Sequence, residues 1–124
     1  MKKLTSLVLA IGLGSAFVLA GCGSTNSKVS DGVNKMLDTT TQLSKAIDSG
    51  DQAKVKEVGP KLEDQWATFE DDVKKDNKDS YGKIEKYLDP TIAGSKAPQL
   101  DKEALNTLNN QLTDALKELA NKTK

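Results

Sequence analysis

Apolar residues recur in steps of three and four along most of this chain, and that spacing predicts amphipathic helices. The first stripe runs Val29, Val33, Met36, Leu37, Leu43 and Ile47, with Thr40 filling the missing step. Ser30 or Asp31 can cap its start, and Gly50 stands where a helix usually ends. Asp51 follows as the N-cap of a second stripe, Val55, Val58, Leu62, Trp66, Phe69 and Val73. Gly59-Pro60 interrupts that stripe, since proline lacks a backbone donor and clashes one turn back, yet the apolar phase is kept on both sides. A kinked helix, or two end-to-end pieces, is expected there. Lys74 to Asp79 (KKDNKD) is expected as a charged break. A third stripe follows at Tyr81, Ile84, Leu88 and Ile92, with Pro90 predicting a bend or an end near Leu88. Ala93 to Pro98 is expected to be the longest unstructured piece. Asp101 then caps the cleanest stripe of all, Leu105, Leu108, Leu112, Ala115, Leu116 and Leu119.

No stretch alternates with period two for long enough to suggest a sheet, and no repeat of solenoid length is visible. Four helices with short links predict an all-α, up-down-up-down four-helix bundle over residues 29–124. The one-residue link between the first two helices makes them antiparallel neighbours. Leu and Val dominate the core, with one Trp and one Phe, enough for a single small domain.

The N-terminus has a different pattern. Lys2 and Lys3 precede an apolar run from Leu4 to Val18, the layout of an export signal. At roughly 15 residues the run is short of the ~20 that a membrane-spanning helix needs. It ends in Leu19-Ala20-Gly21-Cys22, which resembles the lipobox of bacterial lipoproteins. That resemblance implies a signal peptide over residues 1–21, a lipidated Cys22, and a small polar tether over 22–28 (CGSTNSK). A thiolate can take up a diacylglyceryl group as a thioether, and each buried methylene then adds about 0.8 kcal/mol of membrane affinity. The implied location is the extracytoplasmic face of the cell membrane, with the lipid on Cys22 as the membrane contact. An uncleaved signal anchor, or ordinary cleavage leaving a free thiol, are the alternatives.

Composition narrows the chemistry. Lys and the carboxylates balance over the whole chain, and removal of Lys2 and Lys3 leaves the acids in slight excess. With aromatics at 4% and no basic surplus, nucleic-acid binding has no footprint. There is no His, and the one Cys is the candidate lipid site, so neither a base near neutral pH, a free thiol nor a disulfide is expected. No phosphate loop or serine elbow appears, and no catalytic residue is assigned; a non-enzyme is expected. The densest polar feature is acidic: Glu63, Asp64, Glu70, Asp71, Asp72, Asp76 and Asp79. Clustered carboxylates suit hard cations. Lys61, Lys74, Lys75 and Lys78 interleave with them, which equally describes an ordinary solvated face. Trp66 and Tyr81 lie on apolar stripes and are expected in the core, with a groove as the alternative.

Two short runs carry a second resemblance. Trp66-Ala-Thr-Phe69-Glu70-Asp-Asp-Val73 and Ser80-Tyr81-Gly-Lys-Ile84-Glu85 resemble the soluble helical domain of bacterial high-affinity iron permeases. That domain is in turn similar to helical modules of imelysin-like, EfeO-type iron-uptake lipoproteins. The likeness covers about residues 55–119. It implies a binding or accessory module in the acquisition of iron or another divalent or trivalent cation, working with a separate membrane permease. The imelysin-like group is associated with a His-x-x-Glu metal motif, and this chain has no His, so an implied site is all-carboxylate, with Glu70 and Glu85 as its ligands. The alternative is a structural or protein-interaction lipoprotein of the cell envelope, with Gly59-Pro60 and the 93–99 loop shaping a partner surface.

Overall fold

A computed structural model describes the backbone of residues 20–124 and side chains from Asn26 onward. The apolar run 4–18, nearly all of the expected signal peptide and the Cys22 side chain therefore lie outside the described residues. The described chain is all-α and holds six helices with no strand: α1 (Ala20–Asp48), α2 (Gln52–Val58), α3 (Lys61–Ala67), α4 (Glu70–Asp76), α5 (Lys78–Lys96) and α6 (Lys102–Lys122). Among the described residues no helix is long and apolar enough to cross a membrane.

The α1 stripe is buried as expected at Val29, Val33, Met36, Leu43 and Ile47, with Thr40 in the missing step and Leu37 half-buried. The helix begins at Ala20, so it takes in residues 22–28, the segment expected as a tether, and runs through Ser30 and Asp31, the expected caps. The helix ends at Gly50, whose φ of 71° lies in the left-handed region that glycine enters without a Cβ penalty. The N–H groups of Gly50 and Asp51 close the turn on the carbonyls of Ile47 and Ala46, both at 3.0 Å. Asp51 then caps α2, its Oδ1 accepting from the Lys54 N–H at 3.0 Å.

The second stripe is carried by three seven-residue helices. The break at Gly59-Pro60 is the expected one. A second falls at Thr68-Phe69, where Phe69 leaves helical geometry at φ −140°. All six stripe residues are nevertheless buried. Tight crossings accompany both breaks: a Cβ on Gly59 would collide with the Ser95 side chain, and one on Gly32 of α1 would run into the Phe69 ring.

The third element differs from expectation at both ends. The charged break shrinks to Asn77, because Lys74 to Asp76 still turn within α4 and Lys78 already opens α5. The helix then runs through Pro90 to Lys96, so residues 93–96 are helical and the loop is confined to 97–101. Pro90 removes one donor only. Around it the Thr91 hydroxyl donates to the Tyr87 carbonyl at 2.6 Å and that of Ser95 to Ile92 at 2.7 Å. The stop comes where Pro98 forces Ala97 into extended backbone, since the residue before a proline is sterically kept from helical angles.

Asp101 caps α6 through the Ala104 N–H at 3.0 Å. Leu105, Leu112, Ala115, Leu116 and Leu119 are buried, but Leu108 is only half-buried and its neighbour Asn109 takes the inward position. The Asn109 Nδ2 donates to the Thr40 carbonyl of α1 at 2.9 Å. Helix α6 packs on both α5 and α1, and α1 on α2 and α3. Polar contacts fix which ends meet. Lys102 and Asn106, near the start of α6, bind the Asp48 carbonyl and carboxylate at the end of α1. Lys28 pairs with Asp72 of α4 at 3.1 Å, and Lys83 of α5 with Glu118 of α6 at 2.8 Å.

Candidate functional site

The residues singled out by sequence converge where α3 and α4 lie against the first half of α5. Trp66 stands on the buried face of α3 at 3% exposure. Its ring meets Phe69 edge-on at a centroid distance of 5.2 Å and stacks on Tyr81 at 5.8 Å with a 28° interplanar angle. Such pairs are worth ~0.5–1.5 kcal/mol each beyond burial of their area. A buried indole N–H needs a partner, and Trp66 Nε1 donates to Glu85 Oε1 at 2.5 Å. One oxygen of the Glu85 carboxylate is thus committed to holding the indole in place. Tyr81 and Glu85 are four positions apart, so both project from one face of α5 toward α3.

Tyr81 is half-buried, with the Lys74 ammonium 5.5 Å from its ring centroid. Desolvation raises the phenol's pKa above the ordinary tyrosine value, and the carboxylates of Glu85, Glu70, Asp71 and Asp89 push it the same way. These carboxylates come from two helices, with the Lys74 ammonium beside them. Glu70 opens α4 and is half-buried, like Glu85. Among the described residues, no three His, Cys, Asp or Glu side chains converge so as to hold a metal ion together. Glu70 and Glu85 are thus not members of any three-ligand cluster among the described residues. The other acids are dispersed: Glu63 faces Lys96 at 3.8 Å, and Asp72 pairs with Lys28.

A groove of about 590 Å³ lies on the far side of α3, lined by Lys28, Asp31 and Gly32 of α1 and by Asp64, Gln65 and Thr68. The Gln65 Oε1 there is buried without a hydrogen-bond partner. Sequence periodicity passed over this groove because most of its lining is polar and exposed. It also passed over Asn109, whose Oδ1 is likewise buried and unpartnered. A short step from the predicted Leu108 was the available signal, since steps of three and four from Leu105 admit either residue.

No family model matches the chain, and no solved structure matches it. A likeness to a curated protein is found in Bacillus subtilis (strain 168), at 29% identity over 128 residues. It takes in 90% of this chain but 33% of the other, so the chain spans about a third of the relative's length. That relative is named iron uptake system component EfeM, and the chain is its distant homologue.

Proposed function

We propose that this chain is a lipid-anchored, non-enzymatic accessory module in iron acquisition at the extracytoplasmic face of the cell membrane. The carrying observation is the likeness to an iron uptake component across 90% of the chain. The lipobox resemblance at Leu19 to Cys22 supports the anchor, and the carboxylate field around Tyr81 supports a cationic cargo. In this reading α2, α3 and α4 act as one broken rod, so that six helices form an up-down-up-down four-helix bundle. Glu70 and the free oxygen of Glu85 provide the cation ligands, and a membrane permease, as a separate protein, receives the cargo. An ion held by two carboxylates keeps most of its coordination sphere exchangeable, which suits transfer better than storage.

The test is a metal titration of a chain lacking residues 1–21 and carrying Cys22→Ser, followed by Trp66 emission and calorimetry. Ferrous, ferric, calcium and zinc ions are compared. A saturable response to iron at micromolar concentration, absent in Glu70→Gln, is expected. Glu70 is the cleaner position because Glu85→Gln also alters the indole's partner. Flat titrations with all four ions overturn the metal role and leave an envelope protein acting through protein contacts.

A further inference from the structure

We infer that the bundle stands upright on the bilayer, with the α4–α5 junction and the end of α6 against the lipid headgroups. This rests on the lipid-anchor reading of Cys22. Helix α1 begins at Ala20, so Cys22 lies on the same helix whose first core residue, Val29, is seven positions on. Val33 and Met36 are fully buried one and two turns further, which fixes the rod's direction against its neighbours.

Cross-contacts then give each part of the molecule a height along α1. Lys28 pairs with Asp72 of α4, and Gly32 lies against the Phe69 ring. At 1.5 Å per residue, the Phe69 and Trp66 level is about 15 Å from Cys22, whereas Asp48 is about 39 Å away. The Lys122 ammonium bonds the Ser80 hydroxyl, which brings the end of α6 to the start of α5 at the same low end. Gln52 bonds the carbonyls of Ala97 and Pro98, and Lys102 that of Asp48, so those segments form the high end. The exposed low end presents Lys74, Lys75 and Lys78, interleaved with Asp76 and Asp79. Such a mixed surface sits beside phosphate headgroups without the repulsion an all-acidic end would meet. The Tyr81 carboxylate field thus lies in the half of the molecule next to the membrane, within reach of a membrane-embedded partner.

The experiment uses the full chain, processed and lipidated in a bacterial host and reconstituted into phosphatidylethanolamine–phosphatidylglycerol vesicles. Two variants, Lys78→Cys and Glu103→Cys, each add one thiol at an exposed position, at the low and the high end respectively. Each is labelled with a donor dye, and the vesicles carry a headgroup-linked acceptor. With Cys22 acylated, each chain takes one dye and floats with the vesicles. Transfer from residue 78 at least twice that from residue 103 is expected. Equal or reversed transfer in floating, singly labelled protein overturns the upright orientation and reinstates residues 22–28 as a loose tether. Two dyes per chain and no flotation overturn the anchor reading itself, and the orientation with it.

Discussion

Glu85 shows how one side chain ties a buried aromatic to the field around it. Its carboxylate accepts from the Trp66 indole while its charge bears on the Tyr81 phenol. Truncation by Glu85→Ala leaves a buried N–H without a partner, a loss of about 1–3 kcal/mol. The midpoint of urea unfolding should fall accordingly, with a change in the Trp66 emission of the folded state. Tyr81 offers a pH test with a definite sign. Its folded-state pKa is raised, first by desolvation and then by Glu85, so folding favours the protonated phenol. That contribution is complete below the unfolded tyrosine pKa of about 10 and is lost as pH rises through the folded value. In a Tyr87→Phe background the remaining phenolic absorbance should titrate above that of free tyrosine, and Glu85→Gln should bring the midpoint down. At Gly32 the constraint is steric. Gly32→Ala drives a methyl group into the Phe69 ring, and overpacking of this kind costs about 1–3 kcal/mol, read as a lowered thermal midpoint.

Among the elements, α6 makes the most informative prediction. Asn109 occupies an inward position with one hydrogen bond made and its Oδ1 left unpaired. The Thr40 carbonyl it binds remains an acceptor of the α1 ladder without it. Asn109→Leu should therefore raise stability by about 1 kcal/mol, measured by chemical denaturation. The same variant should loosen the rotational setting of α6, since an apolar side chain at position 109 joins Leu105, Leu108 and Leu112 to offer two apolar faces. Line-broadening of α6 amides by NMR would report it. Helix α6, the buried stripe of α1, the Gly50 stop and the caps Asp51 and Asp101 were legible in sequence, because each rests on a local rule of spacing or capping; the start of α1 was not, since the helix runs from Ala20 past Ser30 and Asp31, the expected caps. The three-way division of the second rod was only half legible. Periodicity records phase, and Val55 to Val73 keep their phase across the Thr68-Phe69 break, which arises from the packing of Phe69 on a glycine 37 positions earlier. The continuation of α5 beyond Pro90 was hidden for the converse reason. A proline signals a lost donor, while buried Thr91, and Ser95 where the helix packs close to Gly59, carry no apolar signal. In the site, residue types pointed to Trp66, Tyr81, Glu70 and Glu85, but the indole–carboxylate bond joins two helices and has no trace in either one's pattern.

Across the described residues as a whole, α1 and α6 are direct neighbours, so this core closes only once α6 is in place. Ending the chain before Lys102 would strip α1 and α5 of their shared partner, and such a chain should show little helical circular dichroism and no cooperative melt. The three-helix side from α2 to α4 has a further consequence. An isolated helix needs about 12–15 residues to be even marginal in water, and each of these pieces has seven. Their shape is therefore borrowed from the surfaces of α1 and α5, whereas those two long helices draw on many more turns of their own. Amide protons in α3 and α4 should exchange with deuterium faster than those in α1, α5 and α6, and a protease should first nick the chain near Thr68. Trp66 and Glu70 ride on this least autonomous side. A cargo taken up or given away there, as proposed, would meet a side that can breathe while α1, α5 and α6 hold their form.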